Sequence, residues 1–584
     1  VDRSGQSQQN QPQQDQSQPN QDQQNPPQPP QQAPLPAAPS PGVSSPPATL
    51  HGVVRNAVTG EGIPRALVQI EGDAQTGALT DGDGRFAIFG LQAGPVEVAV
   101  FKPGFFNTAS QMESGPRRNG EPGPPQNVLV AAEMPDVEFT LAPTGSIRGR
   151  IDLSTGDPAD GIEVVLVRRV VQDGRATWQW ETGTKTRSDG VYRFGGLPDG
   201  QYELYTLPSL DGEAAALLSP EQARTAGRWG YPTVAWPGTR DYSDAQAIPV
   251  AHGADVQANF LLTRQPFESV TAQVTLPHGT AAESGGNFAV QVTDGNGRDL
   301  PYNARYDAKA HTVQAALPEG NYALTVTSND LPAGFEGLQS DRPAIPGVLA
   351  GSVDFAVADR AVTGLRVPLS APAQPRVDVT INRSGTGASP ASNSQIAVNV
   401  DSAGGLIGGA MGTQLAAGPA GGPLQATSLQ PGAYWVHTFL SGGGLCEQSF
   451  TAGGVNLGRE PLTVGAGGAA VPLELTLRDD CAQLTLTLPE NLAGFAAGVE
   501  PFYTVYAVPD FDFTRDVQPV VLRPSVSARA TLDGLTPGNY HVYMIAGDSH
   551  LEYRNPAALA SLAGQAVTLG PGATATLVLE APGQ

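Results

Sequence analysis

Hydrophobic and polar residues alternate with period two at many points along the chain. Val377-Asp-Val379-Thr-Ile381 and Leu484-Thr-Leu486-Thr-Leu488 read as half-buried strands. So do Val137-Glu-Phe139-Thr-Leu141, Leu473-Glu-Leu475-Thr-Leu477 and Thr576-Leu-Val-Leu579. Residues two apart share a face, so such runs turn one side to a core and the other to water. A short turn pattern recurs among these strands. It reads Leu91-Gln-Ala-Gly94-Pro-Val96, Leu197-Pro-Asp-Gly200-Gln-Tyr202, Leu317-Pro-Glu-Gly320-Asn-Tyr322, Leu429-Gln-Pro-Gly432-Ala-Tyr434 and Leu535-Thr-Pro-Gly538-Asn-Tyr540. Successive leucines are 106, 120, 112 and 106 residues apart. Where present, Pro presets the first bend, and Gly is expected to accept a positive φ after it. Leu and Tyr are expected to pin the turn from its two sides, in the manner of a corner tyrosine.

The recurrence predicts five sandwiches, at 49–142, 143–263, 264–371, 372–477 and 478–584. Each has a comfortable size for one core. A closing strand runs into the next opening strand after a few residues, as in Leu141-Ala-Pro-Thr-Gly-Ser-Ile147. Linkers that short predict a stiff rod of domains. Residues 1–48 differ, with 14 Gln, 12 Pro and no aromatic residue. That composition predicts a disordered tail, serving as a spacer or as a Pro-rich peptide for a partner.

Composition adds exclusions. Gly 70 and Pro 53 in 584 residues, with charged residues at 15 %, disfavour long helices, while 40 % hydrophobic content still builds cores. A net charge of −23 counts against nucleic acid and anionic membranes as partners. No apolar stretch is long enough and free enough of Gly and Pro to insert in a membrane. Gly404–Gly422, the longest uncharged candidate, reads as a flexible loop. The start at Val1 rather than Met fits a mature form, secreted, periplasmic or at the cell surface after signal-peptide removal.

Around its turn, the first unit reads Gly52-Val-Val-Arg-Asn, Gly62-Ile-Pro-Arg-Ala-Leu-Val-Gln-Ile70, Thr80-Asp-Gly-Asp-Gly84-Arg-Phe86 and Lys102-Pro-Gly-Phe105. This resembles the carboxypeptidase regulatory-like domain, a transthyretin-like (prealbumin-like) sandwich. The second unit matches through Gly149-Arg-Ile151 and Ser188-Asp-Gly190-Val-Tyr-Arg-Phe194, and the last three match only in the turn and its flanking strands. The expected fold is therefore all-β, a tandem array of five prealbumin-like or Ig-like sandwiches behind the tail. The resemblance implies an accessory module of secreted or envelope proteins, implies no catalysis and names no ligand. Tyr231-Pro-Thr-Val-Ala-Trp236-Pro-Gly238 is similar to tandem-domain surface proteins of soil bacteria. The related Cna-B stalk domains carry a Lys–Asn isopeptide bond. With lysine only at 102, 185 and 309, the last two units cannot form it.

No catalytic set is visible. None of the seven histidines heads an H-x-x-E, no serine sits in G-x-S-x-G, and no lysine closes a phosphate loop. No cofactor is expected, although Asp81 and Asp83 resemble the opening of a calcium loop. The alternative for that pair is a Gly-rich hairpin turn. Asp510, Asp512 and Asp516 either gather round a cation or line a solvated loop. Cys446 and Cys481 are disulfide candidates, with two buried thiols as the alternative. Trp178, Trp180, Trp229, Tyr231, Trp236 and Tyr242 crowd the second unit, four of them in its insertion. They either pack that insertion onto its own sandwich or stack on a sugar or peptide.

These readings converge on a non-enzymatic secreted or envelope protein for display, adhesion or scaffolding. The alternatives are a carbohydrate- or peptide-binding protein and a self-associating subunit of an extracellular polymer. A surface polysaccharide or a protein is the expected class of partner.

Overall fold

A computed structural model describes residues 47–73, 75–107, 125–210, 228–275, 288–295, 298–328, 349–370, 375–384, 395–403, 413–419, 424–426, 429, 432–442, 444–465, 472–493, 498–547 and 550–581. The tail expected at 1–48 lies almost wholly outside them. The described chain is nearly all strand, with three one-turn helical segments at Tyr242–Asp244, Glu490–Ala493 and Pro556–Leu559.

Five large apolar cores follow one another along the sequence, spanning Ala48 to Leu141, Ile147 to Leu262, Phe267 to Leu369, Val377 to Leu477 and Ala482 to Leu579. The sandwiches around them are numbered one to five below. One arrangement repeats in all five: the strand that opens a sandwich pairs in parallel with the strand that closes it. The pairs are Ala48–Asn56 with Val137–Pro143, Gly145–Leu153 with Asp255–Gln257 and Phe260–Leu262, and Gln265–Thr275 with Val362–Pro368. Val377–Asn382 with Leu473–Arg478 and Ala482–Thr487 with Thr574–Val578 complete the series. Parallel neighbours need a long crossover, which the rest of each sandwich supplies. The chain therefore enters and leaves each sandwich at opposite ends.

The repeated turn works through its tyrosine. Tyr202, Tyr322 and Tyr540 each send the hydroxyl back to the carbonyl four residues earlier, on Pro198, Pro318 and Thr536, at 2.7, 2.9 and 2.7 Å. The hydroxyl finds its partner while the ring enters the core, which is the corner-tyrosine solution for a buried phenol. Leu197 and Tyr202 belong to one core, and so do Leu317 and Tyr322. The expected role of the glycine needs correction. Gly94 and Gly432 do have positive φ, at 140° and 157°, but Gly200, Gly320 and Gly538 do not. A Cβ on Gly320 would lie 2.9 Å from the Tyr322 hydroxyl, so this glycine clears the path of the returning ring.

Three other expectations are corrected. Within Gly404–Gly422, Thr413–Pro419 is a strand paired with Gln395–Ser402, because Leu415 and Ala416 are apolar enough to enter the fourth core. Ser209–Leu210 and Arg228–Tyr231, from the insertion of sandwich two, add themselves to the sheet of sandwich three beside Gln265–Thr275. A rod touching only at neighbours is also not what forms. Gly498–Val499 of sandwich five joins the sheet of sandwich one beside Gln126–Val130, and Val499 packs against the first core. That edge had unpaired backbone groups to satisfy, and the short linkers did not prevent a distant segment from reaching it.

Candidate functional site

The expected site residues are dispersed. Asp81 Oδ1 accepts the amides of Asp83 and Arg85 at 2.9 and 2.8 Å, as in a tight Asx-closed turn. Asp510, Asp512 and Asp516 each meet a different side chain: His541, Arg459 and His437. Cys446 and Cys481 form a disulfide. Of the six aromatics, Tyr231 and Trp236 pack on the second core. Tyr242 and Trp178 lie in a smaller cluster with Val165, Val167 and Tyr205. Trp180 and Trp229 remain 44 % and 43 % exposed, in different sheets, with the Arg264 guanidinium 5.0 Å over the Trp229 ring.

A buried polar cluster forms instead where sandwiches two, four and five meet. Its first component is the hairpin of Glu163–Gln172 and Arg175–Lys185. Asp173 and Gly174 close it with φ of 49° and 73°, the values of the two-residue turn that Asp-Gly favours. Its tip docks on sandwich five. A Cβ on Gly174 would lie 2.4 Å from the Tyr553 ring, and the Arg554 amide donates to the Gly174 carbonyl at 3.0 Å. Beside the tip, the Arg175 guanidinium stacks 3.5 Å over Trp435 of sandwich four. Burial, reinforced by Arg554, lowers its pKa to about 10.

Arg554 and His437 organise the interior. The Arg554 side chain is only 6 % exposed. It donates to the carbonyls of Asp173, Phe513 and Thr514 at 3.1, 2.7 and 3.4 Å, and reaches Asp516 at 3.6 Å. His437, on strand Gly432–Ser441, is 5 % exposed and lies between two carboxylates. Nδ1 is 2.8 Å from Asp516 and Nε2 is 3.2 Å from Asp401. Burial alone would depress its pKa, but the hydrogen bonds to Asp401 and Asp516 outweigh it and hold it at about 9. Glu447 lies close by, pushed up by burial while Thr514 donates its amide and hydroxyl to the carboxyl at 2.8 and 2.7 Å. Among the described residues, Asp173, Asp401 and His437 form the group able to hold a metal ion, with one ligand atom from each within 4.8 Å of the others.

Sequence reasoning considered Asp516 only beside Asp510 and Asp512, and missed Asp173, Asp401, His437 and Arg554. The Asp-Gly pair was the available signal, and it marks any hairpin.

A second buried acid lies elsewhere in sandwich two. Glu203 accepts from the Tyr205 hydroxyl, and burial raises its carboxyl pKa. A carboxyl raised in the fold contributes stability below its unfolded pKa and loses that contribution as pH climbs through the folded value. Glu203→Gln keeps an acceptor for Tyr205 and carries no charge. Chemical denaturation should therefore show the variant more stable than the wild type at pH 7.5, with the gap shrinking at pH 5. A gap that stays constant with pH contradicts the assignment.

The fold places the molecule among tandem β-sandwich proteins. Residues 49–133 match the model of the carboxypeptidase regulatory-like domain. Among solved structures, the Bacillus anthracis TIE protein is similar at 10 % identity, over 91 % of this chain and 68 % of that one, with a TM-score of 0.14. The RrgB pilus protein of Streptococcus pneumoniae matches at 9 % identity over 76 % and 99 %, with a TM-score of 0.13. GBS52, the minor pilin of Streptococcus agalactiae, matches at 15 % over 38 % and 97 %, with a TM-score of 0.18. No curated protein matches the chain.

Proposed function

We propose that this chain is a non-catalytic scaffold of the cell surface or extracellular space, built to hold β-sandwiches in fixed relation. The observation that carries the reading is the junction of sandwiches two, four and five, where buried charges from three sandwiches are matched to one another. A loosely tethered string of domains needs no such matching, because burying charge is costly unless partners are in place. The Cys446–Cys481 disulfide supports an oxidising compartment, and the accessory-type first domain supports a role without catalysis.

A second reading is favoured by the cavity of about 1190 Å³ lined by Arg228, Phe267, Tyr302, Tyr306 and Lys309. A polysaccharide or peptide held there would make the scaffold an adhesin. Treating intact producing cells with a membrane-impermeant amine reagent separates location from binding. Exposed Lys185 and Lys309 should be labelled before lysis. Labelling only after lysis overturns the surface assignment, and a Tyr306→Ala variant with unchanged glycan- and peptide-array profiles removes the adhesin reading.

A further inference from the structure

Two carboxylates of the junction are paired with cations. Asp516 has His437 and Arg554, and Asp401 has His437. The Asp173 carboxylate is half-buried, and among the described residues it has neither a hydrogen-bond donor nor an ion-pair partner; Arg554 bonds only its backbone carbonyl. Its charge faces Asp516 and Asp401 on one side and His437 and Arg554 on the other, so the carboxylate is near both signs and bonded to neither. The hairpin nevertheless delivers it there, with its tip anchored by Arg554 and Tyr553.

We infer that Asp173, Asp401 and His437 are the ligands of a first-row divalent cation that joins sandwich two to sandwich four. The donor set is two carboxylates and one imidazole. Calcium and magnesium prefer shells made wholly of oxygen, whereas an imidazole nitrogen selects zinc and its neighbours. Around zinc, ligand atoms ~2.0–2.1 Å from the metal sit about 3.3 Å apart. Nε2 of His437 and the nearer Asp401 oxygen are already 3.2 Å apart. The Asp173 oxygen lies within 4.8 Å of both partners, a gap that a turn of its side chain closes. Three protein ligands leave a position for water.

The surroundings fit a ligating histidine. Such a residue usually donates its second ring nitrogen to a carboxylate, which fixes the tautomer and turns the other lone pair to the metal. Asp516 of sandwich five accepts from Nδ1 at 2.8 Å, leaving Nε2 facing Asp401. The cation takes the place of the proton that Nε2 otherwise carries. It also gives the Asp173 carboxylate a direct bond, which no described residue provides.

The test uses the full chain, stripped with EDTA, dialysed and titrated with zinc chloride in a calorimeter. One zinc per chain is expected, together with a higher melting temperature and slower amide exchange at residues 170–176. Asp173→Asn suits the turn equally well, since Asn-Gly closes the same hairpin. It should weaken binding by at least ~10–100-fold, the scale for damage to a zinc site's supporting residues. Asp359→Asn, which removes an exposed carboxylate elsewhere, should bind zinc as the wild type does. No zinc uptake by the stripped wild type overturns the proposal, leaving an ion-pair network in which Asp173 is unpaired. Equal binding by Asp173→Asn also overturns it, because the metal then sits elsewhere on the acidic surface.

Discussion

Replacing Arg554 with Met should lower the stability of the chain by about 3–5 kcal/mol, the usual loss when one member of a buried charge network is removed. The guanidinium serves three carbonyls and Asp516 from a position 6 % exposed. Met fills part of the volume but donates nothing, so the Phe513 and Thr514 carbonyls and the Asp173 carbonyl all lose a donor. Asp516 keeps His437 as its one cation. Equilibrium unfolding in urea, followed by tryptophan fluorescence, reads the change. Trp178 and Trp180 report on the hairpin in sandwich two, and Trp435 on the facing strand of sandwich four. Arg554→Lys should recover little, since a single ammonium cannot span carbonyls that a planar fork reaches. A loss below about 1 kcal/mol would mean that water replaces the guanidinium and that the junction is not tightly closed.

Removing the disulfide should have an effect of similar size by a different route. Cys446 starts the strand Cys446–Ala452 and lies opposite Arg478 in the ladder. Cys481 follows that partner strand, closing a loop with a sequence separation of 35. Loop-closure entropy for that length puts the bridge at about 4 kcal/mol, acting on the unfolded chain. The double variant Cys446→Ser, Cys481→Ser should therefore unfold at a lower denaturant midpoint under non-reducing conditions. Wild type with excess reductant should unfold at nearly the same midpoint as the variant. If the variant matches oxidised wild type, the loop is already restrained without the bridge.

What was legible in the sequence was local. Alternation at Val377–Ile381 and Leu473–Leu477 marks strands because period two is written in consecutive residues. The Leu–Gly–Tyr turn is legible because its hydrogen bond spans four residues, from Tyr202 to Pro198 or from Tyr322 to Pro318. Even there the mechanism was half hidden, since a close approach such as Tyr322 over Gly320 leaves the same glycine as a positive φ would. The junction was not legible. Asp173 reads as a turn residue, His437 as one position in a strand, and Arg554 as a surface cation. Their meeting depends on how whole sandwiches dock, which no local window contains. Arg228–Tyr231 escaped notice for a similar reason, since its partner strand belongs to the next sandwich. The candidate aromatics were visible, but their burial was not, because a tryptophan two residues from another shares its face without sharing its exposure.

The two residues Gly498–Val499 also set a timetable. They complete the edge of a sheet whose neighbouring strand, Gln126–Val130, is made far earlier. At ~5–20 residues per second, the intervening stretch of about 370 residues takes roughly 20–70 s to synthesise. Throughout that interval the first sandwich has a full core but an open flank, a surface on which nascent chains pair wrongly with one another. The last sandwich thus covers an edge of the first, and a chain cut short before residue 498 should be the more aggregation-prone product.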